Sequence, residues 1–118
     1  DMPIRLFGDG LQARDFTYVE DIARGTIAAA KPLGYEVINL GGGNNPTAIN
    51  EIISYIEKAM GKSARIEQKE SNKADMVATW ADIQKAQELL GWKPEISLSS
   101  GLDKTIQWHL QEGHKFNI

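Results

Sequence analysis

A single arginine, Arg14, follows a turn that contains two glycines and stands just ahead of a segment that predicts a helix beginning at Thr17. A guanidinium offers a planar fork of N–H donors, and the start of a helix carries free backbone N–H groups and a partial positive charge. Both attract phosphate oxygens, so the spacing predicts an anion site, and more narrowly a diphosphate site. Without the turn and the helix, such an arginine would more often be a surface residue paired with Asp15 or Asp21.

Other residues that could bind a ligand are less clear from spacing alone. Phe7 precedes the turn, where its ring could stack on a base, but an aromatic at such a position is more often in the core. Asp75 lies in a polar stretch without a capping role, so it is a better ligand candidate than Asp82, which is expected to cap a helix. The glycines at residues 41–43 fit neither the dinucleotide fingerprint nor the P-loop, which favours a tight turn.

The composition argues against several kinds of site. The 118 residues contain no cysteine, which rules out disulfides, thiolate metal sites and cysteine nucleophiles. His109 and His114 are five residues apart and share no helix face, so we expect no metal site, and no catalytic residue is assigned. A net charge of −3 without a basic stripe argues against nucleic-acid binding. We expect no contact with a membrane and a cytoplasmic location.

The elements that must position these residues follow from the hydrophobic pattern. Short strands are expected at three places: residues 3–7, 36–40 and 64–68. Four helices are expected, each after a capping residue: Thr17, Thr47, Asp82 and Ser97. Strands that alternate with helices indicate an α/β fold, and the length indicates one domain over residues 1–118. The middle strand lacks in/out alternation, so we expect it to have neighbours on both sides.

The first helix carries two more specific signals. Thr17 and Glu20 form a Thr-x-x-Glu capping box, which predicts that the helix begins there. Six residues at helical spacing predict its buried face: Val19, Ile22, Ala23, Thr26, Ile27 and Ala30.

Four sequence blocks follow one another along the chain: Gln12-x-Arg14-Asp15-Phe16-x-Tyr18-Val19-x-Asp21, Val37-Ile38-Asn39-Leu40-Gly41, Asp75-x-x-x-Thr79-x-Ala81-Asp82 and Lys85-Ala86-x-x-Leu89-Leu90-Gly91-Trp92-x-Pro94. Each block alone is a weak signal, but four in order over nearly the whole chain are specific. Together they resemble the extended short-chain dehydrogenase/reductase family of nucleotide-sugar epimerases and dehydratases. Within that family, the blocks are most similar to the UDP-glucuronate and UDP-glucose 4-epimerases.

The resemblance implies a binding site for a UDP-sugar or a related nucleotide sugar. Phe7 would stack on or border the uracil. Gln12 and Arg14 would hold the diphosphate, and Asp75 would accept a hydrogen bond from a ribose hydroxyl. Asn72 stands where many members have a second arginine that binds phosphate. Because an amide carries no charge, a nearby lysine, Lys69 or Lys73, would have to compensate as a point charge.

The resemblance also implies that this chain is the C-terminal, substrate-side part of a Rossmann-type epimerase. The family's cofactor half carries GxxGxxG and a Tyr-x-x-x-Lys pair, and this sequence contains neither. We therefore expect the full-length enzyme to bind NAD and this fragment to bind none. We also expect the full-length enzyme to be a homodimer. In the full-length enzyme, NAD would take a hydride from sugar C4 and return it to the other face. The alternatives are part of a related dehydratase or reductase, or a detached protein-interaction module without a ligand.

Overall fold

A computed structural model describes residues 2–43, 45–71 and 75–116 as a mixed α/β fold, which confirms the predicted fold class. The elements follow in this order: β1 (Ile4–Phe7), β2 (Ala13–Arg14), α1 (Val19–Ala28), β3 (Thr47–Ala48), α2 (Ile49–Met60), β4 (Ile66–Lys69), β5 (Ala78–Thr79), α3 (Gln84–Leu90), α4 (Leu98–Glu112) and a short 3-10 helix (Gly113–Phe116).

Two small sheets hold the strands. β1 and β4 pair in parallel, with Ile4 opposite Ile66. β2 is the central strand of the second sheet, antiparallel to β3 and parallel to β5. Arg14 on β2 lies opposite Thr47 on one side and Thr79 on the other. The second sheet therefore brings the turn after β1 close to the segment that contains Asp75.

The tightest part of the core surrounds Trp92, which is 2% exposed. Its indole N–H donates a hydrogen bond of 2.9 Å to the backbone carbonyl of Asp21 on α1. The carboxylate of Asp21 is also buried, and it accepts hydrogen bonds from Arg24 and from the backbone N–H groups of Glu95 and Ile96. These contacts fasten α1 to the chain that leads into α4.

The start of α1 differs from the predicted capping box. The helix begins at Val19, with Tyr18 at the N-cap position, and no side chain in the described residues caps it. Glu20 instead accepts a hydrogen bond of 2.8 Å from Lys104 on α4, so it ties two helices together. The capping prediction for Thr17 is therefore wrong.

The face that α1 turns inward also differs from the prediction. Val19 and Ile27 are 67% and 75% exposed, whereas Asp21 and Gly25 are buried. A Cβ at Gly25 would lie 2.8 Å from Cδ1 of Leu40, so the missing side chain permits close approach of α1 to that segment. The spacing of apolar residues identifies one face of a helix, but it does not show whether that face or the face with Asp21 and Gly25 packs against the core.

The other predicted helix starts have mixed outcomes. Thr47 lies in β3 and α2 begins two residues later, so its capping prediction is wrong. Ile83 is the N-cap of α3, so the capping prediction for Asp82 is wrong, although its carboxylate accepts a hydrogen bond of 2.9 Å from the backbone N–H of Gln84, the first residue of α3. Ser97 is confirmed as the N-cap of α4, because its hydroxyl accepts from the backbone N–H of Ser100 at 3.2 Å.

The strand predicted at residues 36–40 is not formed. The segment has no regular secondary structure and pairs with no strand in the part of the chain that the structure describes. Val37 is 68% exposed, and the neighbouring Tyr35 is 93% exposed. Its β-branched residues favour a strand, but a strand also needs a partner for its backbone groups.

Candidate functional site

The end of β1 opens onto a cavity of about 560 Å³, which we call the loop cavity. Its walls come from β1, from the glycine loop (residues 8–12) and from the chain that precedes β5: Phe7, Gly8, Asp9, Leu11, Gln12, Ser71, Asp75, Met76 and Val77. Three residues predicted to bind a ligand, Phe7, Gln12 and Asp75, are thus brought together from distant parts of the sequence. Asn72, the fourth residue predicted near Asp75, lies outside the described residues.

Phe7 borders the loop cavity and is not part of the core. It is 51% exposed, so the expectation from spacing alone that it packs inside is wrong. A half-exposed aromatic side chain at a cavity wall provides a flat apolar surface of the kind on which a base can stack. The implied role beside a uracil is geometrically available to it.

Arg14 and Asp75 form an ion pair beside the loop cavity. The guanidinium Nη2 donates to Oδ1 of Asp75 at 2.7 Å, and both side chains are about one-third exposed. Nη1 donates to the backbone carbonyls of Ala13 and Met76, at 2.8 and 3.0 Å. The pair therefore fixes the direction of the guanidinium and brings together the residues implied for the diphosphate and the ribose.

The guanidinium of Arg14 is not fully used by these contacts. An arginine has five N–H donors, and three of them have partners within the described residues. Arg14 also lines a second, open cavity of about 570 Å³, together with Leu40 and Trp80. Its charge thus lies between two cavities, where an oxyanion could accept hydrogen bonds from the two remaining N–H groups.

Gln12 and Lys69 are engaged with the protein itself. The side-chain amide of Gln12 donates to the carbonyl oxygen of Phe7 at 2.8 Å, which closes the glycine loop on itself. Lys69, one of two lysines that could compensate for Asn72, pairs with Glu67 at 2.5 Å. The positive charge of Arg14, by contrast, lies next to the wall of the loop cavity, because its guanidinium donates to Asp75 and Met76 of that wall.

Two residues that hold the glycine loop were not recognised from the sequence. The side-chain amide of Asn50 on α2 donates to the carbonyl oxygen of Asp9 at 2.8 Å, and that of Gln68 on β4 donates to Gly8 at 2.5 Å. Both donors come from elements distant in sequence, so no local spacing could indicate them. The available signal was an asparagine at a helix start, which usually indicates a cap.

The glycine turn at residues 41–43 packs closely against neighbouring protein atoms. A Cβ on Gly41 would overlap Ala81, and one on Gly42 would overlap the carboxylate of Asp15, so neither position has room for a side chain. The Oδ2 of Asp15 accepts from the backbone N–H of Ala81 at 3.1 Å, while its buried Oδ1 has no partner among the described residues. These contacts agree with the tight turn that the sequence predicts.

Asp21 is a buried carboxylate that lines neither the loop cavity nor the second cavity. Burial disfavours its charged form, but hydrogen bonds from the Ile96 N–H, from Arg24 and from the Glu95 N–H outweigh that effect. As a result, the pKa of Asp21 lies below the ordinary value of 3.8. Asp21 is therefore a carboxylate at neutral pH, and its hydrogen bonds stabilise the packing of α1 against the segment before α4.

The described residues show neither a metal cluster nor a membrane span. No group of three or more His, Cys, Asp or Glu side chains among them could hold a metal ion. No described helix is both long and apolar enough to cross a bilayer.

A family model described as GDP-mannose 4,6 dehydratase matches residues 2–105. A UDP-glucuronate 4-epimerase of Thermodesulfobacterium geofontis is 60% identical over 108 residues, which cover 92% of this chain and 33% of that protein. The chain therefore spans about a third of the length of the curated relatives it matches.

Solved structures show the same similarity in three dimensions. A UDP-glucuronic acid 4-epimerase of Bacillus cereus, in complex with UDP-glucuronic acid and NAD, matches with a TM-score of 0.80 and 46% identity. The match covers 92% of this chain and 35% of that one. The epimerase Mth375 of Methanothermobacter thermautotrophicus matches with a TM-score of 0.86 and 29% identity, over 98% of this chain and 35% of that one.

Proposed function

Because the chain belongs to the GDP-mannose 4,6 dehydratase family, we propose that it is the nucleotide-sugar-binding portion of a UDP-sugar 4-epimerase. The observation that carries the proposal is the loop cavity, which gathers Phe7, Gln12 and Asp75 beside the guanidinium of Arg14. The 60% identity to a UDP-glucuronate 4-epimerase favours UDP-glucuronate among the UDP-sugars.

In this proposal, each residue contacts a different part of the nucleotide. Phe7 borders the uracil, Asp75 accepts from a ribose hydroxyl, and Arg14 donates its remaining N–H groups to the diphosphate. Gln12, and Asn72 outside the described residues, are proposed as further polar contacts. All these contacts are remote from sugar C4, so binding energy gained at the nucleotide can hold the substrate while the sugar turns.

The residues of this chain do not fit NAD. The sequence has no GxxGxxG and no Tyr-x-x-x-Lys, and its only glycine triplet, at residues 41–43, does not fit the dinucleotide fingerprint. We therefore assign NAD, and the redox chemistry, to a dinucleotide-binding portion that corresponds to the other two-thirds of the relatives. Activity, a homodimeric state and a cytoplasmic location stay predictions for that complete enzyme.

Several large apolar side chains are exposed and are available to contact that dinucleotide-binding portion. They are Val19 and Ile27 of α1, Tyr35 and Val37 of the unpaired segment, and Trp80, each between 57% and 93% exposed. We refer to these five side chains as the apolar surface, and we propose that the dinucleotide-binding portion covers them. The relatives carry about twice this chain's length in addition to the matched part, which supplies such a partner.

Replacement of Arg14 by alanine tests the nucleotide site. Loss of a charge-assisted contact worth about 1.5–3 kcal/mol lowers UDP affinity by about 10- to 150-fold. The measurement is isothermal titration calorimetry of the wild-type and Arg14→Ala chains with UDP. Arg5→Ala is the matched control, because Arg5 is exposed and its guanidinium is paired loosely with Glu67 at 3.7 Å.

Two results would contradict the nucleotide site. Equal UDP affinity of the Arg14→Ala and wild-type chains would place the diphosphate elsewhere. In the folded wild type, an NMR titration with UDP that leaves the amide signals of Phe7, residues 12–14 and Asp75 unshifted would rule out the loop cavity as the binding site.

A charge placed on the apolar surface tests the partner. Val37→Lys should weaken binding to the dinucleotide-binding portion of the 60% identical relative at least tenfold in surface plasmon resonance. Leu110→Lys is the control, because Leu110 is also exposed, at 63%, but lies on α4. Equal binding by both variants would exclude the surface as the docking site.

The exposed surface also favours a second candidate function, a protein-interaction module that no longer binds a ligand. That candidate predicts association through Val37 together with no UDP binding by the wild type. A related dehydratase or reductase portion is the third reading. It predicts that the chain binds a sugar linked to a different nucleotide, and that the complete enzyme assayed with NAD yields a 4-keto or reduced sugar as the product.

A further inference from the structure

The glycine loop reaches the loop cavity through an unusual backbone path. Gly8 and Gly10 have φ angles of 71° and 76°, in the left-handed region that favours glycine. A loop with two such glycines loses much conformational freedom when it is ordered. Contacts from outside the loop must therefore offset that cost if its walls are to be in place before a ligand arrives.

The start of α2 supplies these contacts. No described side chain caps α2, so its first backbone N–H groups need other acceptors. The N–H of Ile49 donates to the carbonyl of Gln12, and the N–H of Asn50 donates to the carbonyl of Gly10, each at 3.1 Å. The loop thus caps the helix, and the helix holds the loop.

The side chain of Asn50 completes this fit. Its amide donates to the carbonyl of Asp9 at 2.8 Å, so Asn50 binds two successive loop carbonyls, one by backbone and one by side chain. Gly10 is buried, and a Cβ there would overlap the amide of Asn50. The asparagine therefore occupies the space that the glycine leaves free.

We propose that Asn50 is a positioning residue for nucleotide binding, which acts by holding residues 9 and 10 so that the glycine loop forms a preorganised wall of the loop cavity. Asn50 does not line the cavity, so it acts through the loop and not on the ligand. This inference rests on the proposed function, because it assigns Asn50 to the same nucleotide site. A preordered loop binds more tightly because its ordering cost is met before the ligand arrives.

Asn50→Ala tests the inference, with Gln84→Ala as the control. Gln84 on α3 also uses its side-chain amide for a single hydrogen bond, to Oε1 of Glu88 at 2.7 Å, and it lines neither the loop cavity nor the second cavity. We expect Asn50→Ala to lower UDP affinity five- to twentyfold in calorimetry and to speed hydrogen exchange at residues 8–12 of the free chain. Gln84→Ala should change neither, and both variants should unfold at similar urea concentrations.

Each outcome decides between the two proposals. If the wild type binds UDP and a folded Asn50→Ala chain binds it equally, or its loop exchange is unchanged, the positioning role is wrong and the nucleotide site stands. If affinity falls only in step with a general loss of stability, Asn50 is merely structural and the inference fails. If the wild type does not bind UDP, the nucleotide site itself fails. Should Asn50→Ala not fold, Asn50→Ser against Gln84→Ser makes the same comparison.

Discussion

Asp21 shows how much one side chain can hold together in this protein. It is 1% exposed and accepts hydrogen bonds from Arg24 and from two consecutive backbone N–H groups ahead of α4. Its own backbone carbonyl accepts from Trp92. A buried carboxylate with this many donors stabilises the fold only while it is charged.

Asp21 predicts a loss of stability in acid. Its pKa is below 3.8 in the folded state and near 3.8 in the unfolded chain, so its contribution is complete above about pH 4. The contribution falls as the pH drops from 3.8 through the folded pKa, because the unfolded state takes up the proton first. Urea unfolding from pH 7 to pH 2.5 measures the effect.

Asp21→Asn is the control for this acid transition. The variant should lose about 3 kcal/mol of unfolding free energy at pH 7, because an amide cannot replace a carboxylate that accepts from an arginine and two N–H groups. Its unfolding free energy should also depend less on pH than that of the wild type below pH 4. An identical pH profile in both chains would assign the acid sensitivity to other groups.

At the residue scale, the sequence indicates residues that could bind a ligand better than residues that hold the binding loop in place. Arg14 and Asp75 could be singled out because their types suit phosphate and hydroxyl groups, and the structure pairs them directly. Phe7 was misjudged by spacing alone, since an apolar ring has no pattern that separates core from cavity wall. Asn50 and Gln68 could not be found, because their acceptors are backbone carbonyls distant in sequence.

At the scale of elements, α4 offers a direct test of a cap inferred from the sequence. Ser97→Ala should lower the unfolding free energy by about 1 kcal/mol, because it removes the acceptor for the backbone N–H of Ser100. Ser100→Ala, in the same helical turn, should have little effect. Chemical denaturation of both variants measures the difference, and equal stabilities would show that the cap contributes nothing.

The elements that were predicted well are those whose signals are local. α4 begins directly after its predicted cap, Ser97, and α2 begins two residues after Thr47, where a helix start is predicted. The strand at residues 36–40 was expected from composition but does not form, since strand formation depends on a partner. The inward face of α1 was missed because Gly25, which permits the closest approach, carries no hydrophobic signal.

At the scale of the whole molecule, the chain is more open than a free-standing domain of its length. Its radius of gyration is 16.7 Å, whereas a compact domain of this length has about 13–14 Å. Only three apolar side chains among the described residues are buried: Leu6, Ala86 and Trp92. Both observations agree with a molecule that packs against a further portion.

A molecule with so small a core should be measurably stabilised by its ligand. If UDP binds only the folded chain, UDP at 100 times its Kd raises the unfolding free energy by about 2.7 kcal/mol. Thermal unfolding with and without UDP measures this as an upward shift of Tm. Arg14→Ala should show a much smaller shift at the same UDP concentration, and an equal shift in both would show that UDP acts at another place.

The three tryptophans lie in unlike surroundings, which gives the molecule built-in optical reporters. Trp92 is enclosed, whereas Trp80 and Trp108 are 57% and 46% exposed. Acrylamide should quench the red side of the fluorescence emission and spare the blue side, which comes from Trp92. Trp80 and Arg14 line the same cavity, so a shift in the emission wavelength of Trp80 would report the binding of a ligand or protein there without an added label.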